Sequence, residues 1–214
     1  MTMKRPATIA AVLLALAACK SSTTPDRRSG EDTFDANSLS SYSKYSDGGY
    51  SWAIDGGTLI GTGPANQAVL TRVTVQTADG WVETVSSRAD DGGLILRFQD
   101  QAHYYLLAFR DDASPSPRGT ENLAVYHHVG FEYRQLWVKN VDFARGTPHT
   151  IRFEAAGANL RVYFDGVQQV DLTPSPLIND PAPFTGSGGL GVRYYGDDAS
   201  WITRFDTFRW HTAG

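Results

Sequence analysis

The chain has 214 residues, of which 23 are acidic and 19 basic, so its net charge is −4. This balance disfavours nucleic acid and anionic lipid surfaces as partners, because both require a basic face. A single cysteine excludes an intrachain disulfide framework and a cysteine-rich metal site.

The first eighteen residues have the order of a bacterial export signal. Lys4 and Arg5 precede an apolar run from Ile9 to Ala17, which is too short to span a bilayer permanently. The stretch Leu16-Ala17-Ala18-Cys19 resembles the bacterial lipobox, which implies cleavage before Cys19 and attachment of palmitate-type acyl chains to it. We therefore expect a signal peptide over residues 1–18 and lipidation at Cys19. An ordinary secretion signal that happens to contain a cysteine is the alternative.

Residues 19–31 are predicted to form the lipidated cysteine and a flexible linker. From Lys20 to Glu31 there is no apolar side chain, so burial cannot repay the entropy of ordering. Lys20 stands where an aspartate would resemble the inner-membrane retention signal of diderm bacteria. We expect an exported protein, anchored in the cell envelope only through lipid, and in the outer membrane if the organism is diderm. The mature chain would carry 17 basic and 23 acidic residues, a net charge near −6.

The region 32–214 is predicted to be one all-β domain. Short β-branched and aromatic runs alternate with Gly, Asp, Asn and Pro, without a long stretch of helical period. The clearest hairpin has Asp165-Gly166 between two alternating runs. About a dozen strands with tight turns favour a two-sheet antiparallel jelly-roll sandwich. The predicted strands are Tyr50 to Ile54, Ala68 to Val75, Trp81 to Ser87, Leu94 to Phe98, Tyr104 to Phe109, Leu123 to His128, Gln135 to Val138, His149 to Ala155, Asn159 to Phe164, Val167 to Leu172, Gly189 to Tyr195 and Ile202 to Trp210.

An ordered series of short motifs runs through this region. It comprises Phe34-Asp35, Trp52-Ala53-Ile54-Asp55-Gly56-Gly57, Gly93 to Phe98 followed by His103 to Leu106, His149 to Phe153, the Tyr163-Phe164-Asp165-Gly166 hairpin, Gly188 to Val192 and Phe205-Asp206. The series resembles the concanavalin A-like, laminin-G-like sandwich. This resemblance implies the fold and leaves the activity open, since relatives include sugar-binding modules, protein-binding modules, glucanases and polysaccharide lyases.

Motifs of the enzymes with this fold do not occur in the sequence. Glycoside hydrolysis needs two carboxylates about 5 to 10 Å apart, and laminarinase-like relatives supply them as E-x-D-x-x-E. Glu83 is followed by Thr84, Val85 and Ser86 and lacks that partner. Lyase relatives use an R-x-E-L-R-type strand together with a Q-[IV]-H strand. Gln101-Ala102-His103 is the nearest approach to the second motif, and the first motif is lacking. The sequence therefore predicts no catalytic residues, with a diverged hydrolase or lyase as the alternative.

The acidic residues and a histidine pair are candidates for metal binding. His127 and His128 are neighbours in a predicted strand and should point to opposite faces, so they cannot share an ion without a bulge. The doublets Asp90-Asp91, Asp111-Asp112 and Asp197-Asp198 adjoin loops, where aspartate commonly caps backbone amides. Relatives of the fold often hold one structural calcium ion, and Asp35 and Asp206 match its carboxylate positions. That both aspartates merely end strands is the alternative.

Alternation along the strands predicts a binding face. If Leu94, Leu96 and Phe98 point into the core, the side chains between them point outward. In the other strands, too, the residues next to the inward-facing apolar side chains are predicted to point outward. Aromatic rings among guanidinium groups suit a sugar chain, although such side chains are also ordinary occupants of sheet surfaces. The predicted ligand-binding residues are Arg97, Tyr104, Arg110, Tyr126, His128, Trp137 and Arg193.

These observations together favour a lipid-anchored, non-catalytic carbohydrate-binding module displayed in the cell envelope, with a glycan or polysaccharide as its partner. An enzyme of the same fold acting on a polysaccharide is the second interpretation. A protein-binding or adhesive module is the third.

Overall fold

The structure is a computed structural model, and the residues described from it are 29–36, 39–46, 51–116, 121–130, 132–174 and 185–213. Of Ser51 and residues 65–68 only the backbone is described. The predicted signal peptide, Cys19 and most of the predicted linker lie outside these ranges. Within them the structure is all-β, with sixteen strands and no helix.

The strands are β1 (Ser29–Asp32), β2 (Tyr42–Ser46), β3 (Ser51–Asp55), β4 (Thr58–Thr62), β5 (Ala65–Thr77), β6 (Gly80–Ser86), β7 (Gly92–Asp100), β8 (His103–Phe109), β9 (Leu123–Val129), β10 (Glu132–Lys139), β11 (His149–Ala156), β12 (Asn159–Phe164), β13 (Val167–Leu172), β14 (Gly188–Gly196), β15 (Ile202–Phe205) and β16 (Thr207–Thr212). Each predicted strand matches an observed one, except that the last divides into β15 and β16. Strands β1, β2 and β4 were not predicted, and β1 occupies the end of the predicted linker.

Two antiparallel sheets form a sandwich. The seven-stranded front sheet has the order β10-β9-β8-β7-β14-β5-β2, and the six-stranded back sheet has the order β1-β16-β6-β11-β12-β13. A third sheet, β15-β4-β3, has three strands. This architecture confirms the predicted two-sheet β-sandwich.

The main core lies between the two large sheets. Alternate residues of each strand point into it, as the period of two requires. The back sheet contributes Val82, Phe153, Val162 and Phe208, and the front sheet contributes Leu94, Tyr105, Leu107, Val125 and Val192.

A second apolar cluster covers the outer face of the front sheet, the face turned away from the main core. It contains Val69, Ile95, Phe98, Tyr104, Leu106 and Ala108. Tyr45, Tyr126 and Tyr133 pack against it while staying partly exposed. The front sheet is therefore apolar on both faces, unlike an antiparallel sheet whose second face is simply solvated.

A β-bulge in β7 changes the predicted direction of two side chains. Leu96 pairs with Tyr105, but the next pairing joins Asp100 to His103, so the register shifts between them. Arg97 has a positive φ of 53° at this bulge. Because an extra residue reverses the alternation, Phe98 joins Ile95 on the outer face instead of facing the core.

Candidate functional site

A narrow cleft lies on the outer face of the front sheet, where β7, β8, β9, β10 and β14 run side by side. Gly93 allows the lining residue Leu106 to pack closely on the sheet, because a Cβ at Gly93 would lie 2.5 Å from Leu106 Cδ1. The walls of the cleft combine aromatic rings with guanidinium groups and one carboxylate. The lining residues are Asp91, Leu106, Ala108, Arg110, Tyr126, Tyr133 and Arg193.

Arg193 is the buried charge of this cleft. Only 1% of its surface is exposed, and its Nη1 donates to Asp91 Oδ1 at 2.5 Å. Its guanidinium carbon lies 5.9 Å from the ring centroid of Tyr133 and 5.2 Å from that of Tyr195. Burial alone would lower the pKa of Arg193, but the carboxylate of Asp91 outweighs it and raises that pKa. The side chain is therefore a fixed cation, and its buried Nε has no hydrogen-bond partner among the described residues.

A hydrogen-bonded chain joins Arg193 to the second arginine of the cleft. Arg110 Nη1 donates to Ser116 Oγ at 3.2 Å, and that hydroxyl donates to Asp91 Oδ2 at 3.3 Å. Arg110 Nη2 donates to the backbone carbonyl of Glu121 at 3.0 Å. One carboxylate thus lies between two guanidinium groups, in direct contact with one and linked to the other through a hydroxyl.

A row of aromatic rings crosses the outer face beside the cleft. The centroid distances are 5.0 Å from Tyr45 to Phe98, 5.7 Å from Phe98 to Tyr104, 4.5 Å from Tyr104 to His128 and 4.3 Å from His128 to Tyr133. The hydroxyls of Tyr104 and Tyr133 are hydrogen bonded at 3.0 Å. The packed rings hold the partly exposed rings of Tyr45 and Tyr133 in fixed positions at the two ends of the row.

The two neighbouring histidines point to opposite faces, as the sequence predicts. His127 stacks on the core residue Tyr105 at 4.8 Å, whereas His128 packs at a tilt against Tyr104 in the outer cluster. Burial lowers the pKa of each ring to about 4. Both rings are therefore neutral at neutral pH.

The structure brings five of the seven predicted ligand-binding residues to the outer face of the front sheet. Arg110, Tyr126 and Arg193 line the cleft, and Tyr104 and His128 belong to the aromatic row beside it.

Arg97 and Trp137 lie elsewhere, contrary to the predicted parity. Arg97 turns away at the bulge, and its guanidinium donates to the carbonyls of Ala78 and Gly157, each at 2.6 Å. Trp137 pairs with the core residue Val125 and packs against the main core. A second bulge, between Gln135 and Trp137, reverses the alternation in β10.

Sequence reasoning missed Asp91 and Tyr133. The Asp90-Asp91 doublet looked like a turn, yet both carboxylates are buried. Asp90 pairs with Arg145 and Asp91 with Arg193. Tyr133 precedes the predicted strand start by two residues, so the parity argument did not reach it. An acidic doublet directly before the Gly92-Gly93 strand entry was the available signal for Asp91.

The two aspartates predicted to bind calcium lie against the same turn. A Cβ at Gly57 would be 3.2 Å from Asp35 Oδ1, and Thr58 Oγ1 donates to Asp206 Oδ1 at 3.0 Å. Asp35 also accepts from Thr33 Oγ1 at 2.6 Å. Among the described residues, no three acidic, histidine or cysteine side chains converge on one point. An ion held here would therefore need backbone carbonyls or water to complete its shell of six to eight oxygens.

Glu83, the acidic residue considered for hydrolysis, belongs to the back sheet and not to the cleft. Its carboxylate accepts from Arg152 Nε at 2.8 Å and from Arg209 Nη1 at 3.4 Å. In the described part of the cleft wall, Asp91 is the one carboxylate.

No protein-family model matches the sequence, and no curated protein matches it. Solved structures share the fold. The carbohydrate-binding module CBM66 from Bacillus subtilis is 12% identical, with a TM-score of 0.57 over 80% of this chain and 92% of the other. A native glycosidic hydrolase is 11% identical, with a TM-score of 0.61 over 88% and 97%. The exoplasmic/lumenal domain of VIP36, bound to Ca²⁺ and Man3GlcNAc, is 11% identical, with a TM-score of 0.58 over 88% and 90%.

These likenesses establish the fold, a β-sandwich that the chain shares with all three structures. Among the described residues, no helix has the length and apolar character that a membrane span requires.

Proposed function

We propose that this chain is a non-catalytic carbohydrate-binding module whose ligand lies on the outer face of the front sheet. The carrying observation is the cleft itself, which the partly exposed rings of Tyr126 and Tyr133 line together with the guanidinium groups of Arg110 and Arg193. The guanidinium carbon of Arg193 lies 5.9 Å from the ring centroid of Tyr133. Aromatic rings cover the apolar faces of pyranoses, while planar donors bind hydroxyl or carboxylate oxygens. A carbohydrate-binding module and the Man3GlcNAc-bound domain of VIP36 among the structural neighbours support the same ligand class.

The experiment compares tyrosines on the two sheets. Tyr126→Ala and Tyr133→Ala should each weaken glycan binding by more than about fivefold, or about 1 kcal/mol, because each removes a preorganised ring from the contact surface. Tyr163→Ala, on the back sheet, is the matched control and should bind as the wild type does. A glycan array identifies the ligand and titration calorimetry measures its affinity. If all three variants bind the glycan with the affinity of the wild type, the cleft is not the binding site.

A polysaccharide-active enzyme is the second candidate, favoured by the glycosidic hydrolase among the structural neighbours. Two carboxylates are required for the usual hydrolytic mechanisms, and Asp91 is committed to Arg193 at 2.5 Å. We therefore expect neither reducing-sugar release nor new absorbance from unsaturated uronates when the protein is incubated with polysaccharides. Activity that is lost in Asp91→Asn would instead favour the enzyme.

The lipid anchor at Cys19 is a proposal that rests on the sequence. Export and acylation would display the domain in the cell envelope, at the outer membrane if the organism is diderm, with residues 20–28 as tether. Cys19→Ser should abolish incorporation of labelled fatty acid and block signal cleavage. Equal labelling of the variant and the wild type would contradict lipidation.

A structural calcium ion near Asp35 and Asp206 is likewise a proposal. Its support is the turn at Gly57 and Thr58 that both carboxylates adjoin, together with a calcium-bound neighbour of the same fold. An ion that binds only the folded state stabilises it by mass action, so chelation should lower the melting temperature. Asp206→Asn should remove that sensitivity, whereas Asp171→Asn, on the back sheet, should retain it. An unchanged melt after exhaustive chelation would eliminate the ion.

A further inference from the structure

The two arginines of the cleft are not equally neutralised. Arg193 contacts Asp91 directly, whereas Arg110 is held by two neutral acceptors, the hydroxyl of Ser116 and the carbonyl of Glu121. Among the described residues, no carboxylate lies within ion-pair distance of Arg110. Two cations therefore share one anion.

The remaining groups around the cleft do not remove this excess charge. His128 packs beside Tyr133 and is neutral, and the other lining side chains of the cleft are apolar or phenolic. On its far side Arg110 borders a depression with Asp111, Asp112 and Glu121. Of these, Asp111 is already paired with Arg145. Asp112 and Glu121 line that depression and not the cleft, so within the cleft lining Arg110 and Arg193 exceed Asp91 by one positive charge.

Arg110 is itself desolvated, with 6% of its surface exposed. A buried guanidinium that forms no direct ion pair is costly, and an incoming carboxylate that its planar fork can bind would offset that cost. A neutral sugar hydroxyl offers no such compensation.

Building on the proposed glycan site, we propose that the cleft selects acidic sugars, with Arg110 binding the carboxylate of a uronate residue. Tyr126 and Tyr133 flank the ring of that residue. Arg193 and Asp91 form a fixed, rigid support beneath that residue, because their opposite charges already neutralise each other. Ser116 is a positioning residue, since its hydroxyl holds Arg110 in line with Asp91.

The test uses two forms of one polymer. The full chain is titrated with polygalacturonate and with the same polymer after methyl esterification, which keeps the sugar backbone and removes the charge. At low salt the wild type should bind the acid form at least about tenfold more tightly, and added salt should reduce that preference because charges are screened.

Three variants assign the effect to the cleft. Arg110→Gln should bring the two affinities within about threefold of each other, and Arg110→Lys should restore part of the preference by returning the charge without the fork. Arg161→Gln, the same charge change on the back sheet, should behave as the wild type does. Thermal melts establish whether each variant is folded. If Arg110→Gln does not fold, the comparison of Arg110→Lys with the wild type still tests the proposal.

Alginate, heparin, polyglutamate and neutral xylan complete the panel. Preference for alginate together with polygalacturonate supports the inference. If heparin binds more tightly than polygalacturonate, the preferred group is a sulfate and the proposed carboxylate recognition is wrong. If polyglutamate binds as tightly as polygalacturonate, the site does not recognise a sugar and the inference is wrong. Equal binding of the acid and ester forms would refute acid selectivity while leaving the glycan site intact. If no polysaccharide binds at all, the proposed function itself fails.

Discussion

Two buried arginines of the front sheet serve different purposes. Arg193 points to the outer face, where it pairs with Asp91 and lines the cleft. Arg97 instead connects three chain segments, because it donates to Ala78 and Gly157 and pairs with Asp79 at 3.3 Å. Since those partners lie in loops that lead into and out of back-sheet strands, Arg97 ties the front sheet to the back sheet. We interpret it as a structural residue.

Replacement of Arg97 should therefore destabilise the domain. Arg97→Met should lower the free energy of unfolding by about 2 to 4 kcal/mol, because it removes the donor to two carbonyls and a carboxylate. Arg209→Met is the control: the half-exposed Arg209 pairs with the exposed Glu31 at 2.8 Å and more distantly, at 3.4 Å, with the buried Glu83. Because Glu83 keeps its ion pair with Arg152, the replacement should cost less than about 1 kcal/mol. Urea unfolding measures both. Equal losses would mean that burial of Arg97 contributes little.

Trp137 provides a second test at the scale of a residue. It packs against the main core from the edge strand β10, so Trp137→Ala should cost about 2 to 4 kcal/mol, somewhat less than truncation of a fully buried ring. Glycan affinity of the folded variant should not change. A variant that keeps its stability and loses its ligand would return this ring to the binding surface.

At the scale of elements, the turns and bulges decide what each strand presents. The β12–β13 hairpin has Asp165 and Gly166 at φ values of 50° and 76°, which suits the Asp-Gly pair because such two-residue turns need positive φ at both positions. Asp165 also accepts from the Thr150 amide and the His149 ring, each at 2.8 Å. The hairpin is thereby fixed to β11.

Gly166→Ala should lower the free energy of unfolding by about 1 kcal/mol, because an alanine is strained in the left-handed region. A Cβ at this position would meet no atom within 4 Å, so the loss would reflect backbone strain alone. Gly186→Ala is matched, since a Cβ there also meets nothing and its φ lies outside the left-handed region. Thermal melts compare the two, and an unchanged Gly166→Ala protein would contradict the strain argument.

At the scale of the whole molecule, acid should weaken the fold through its buried histidines. Burial lowers the pKa of His127 and His128 from 6.5 to about 4. Nearby Arg134, Arg193 and His103 act in the same direction. Between these pH values the unfolded chain binds protons that the folded protein does not, so stability falls as pH falls from 6.5 towards 4.

The expected loss approaches about 3 kcal/mol per ring, at about 1.4 kcal/mol for each pKa unit. Urea unfolding at pH 7, 6, 5 and 4.5 measures the slope. A double variant, His127→Phe with His128→Phe, should flatten it, whereas His211→Phe, a half-buried ring on the back sheet, should retain it. A wild-type stability that does not change between pH 7 and 5 would show that the two rings titrate alike in both states.

The amino-acid sequence by itself determined the all-β class and most strands, because period-two alternation and turn residues are local properties of the chain. It also determined that Tyr104, Tyr126 and His128 share a face, since no bulge interrupts the β8–β9 pairing.

Only the tertiary structure decided the rest. Bulges at Arg97 and before Trp137 reverse the alternation, and strand β1 forms on β16, which lies far along the chain. Asp91 becomes a site residue because folding places it against Arg193, 102 positions away. Such long-range pairings depend on which strands become neighbours, and no local pattern of side chains encodes that choice.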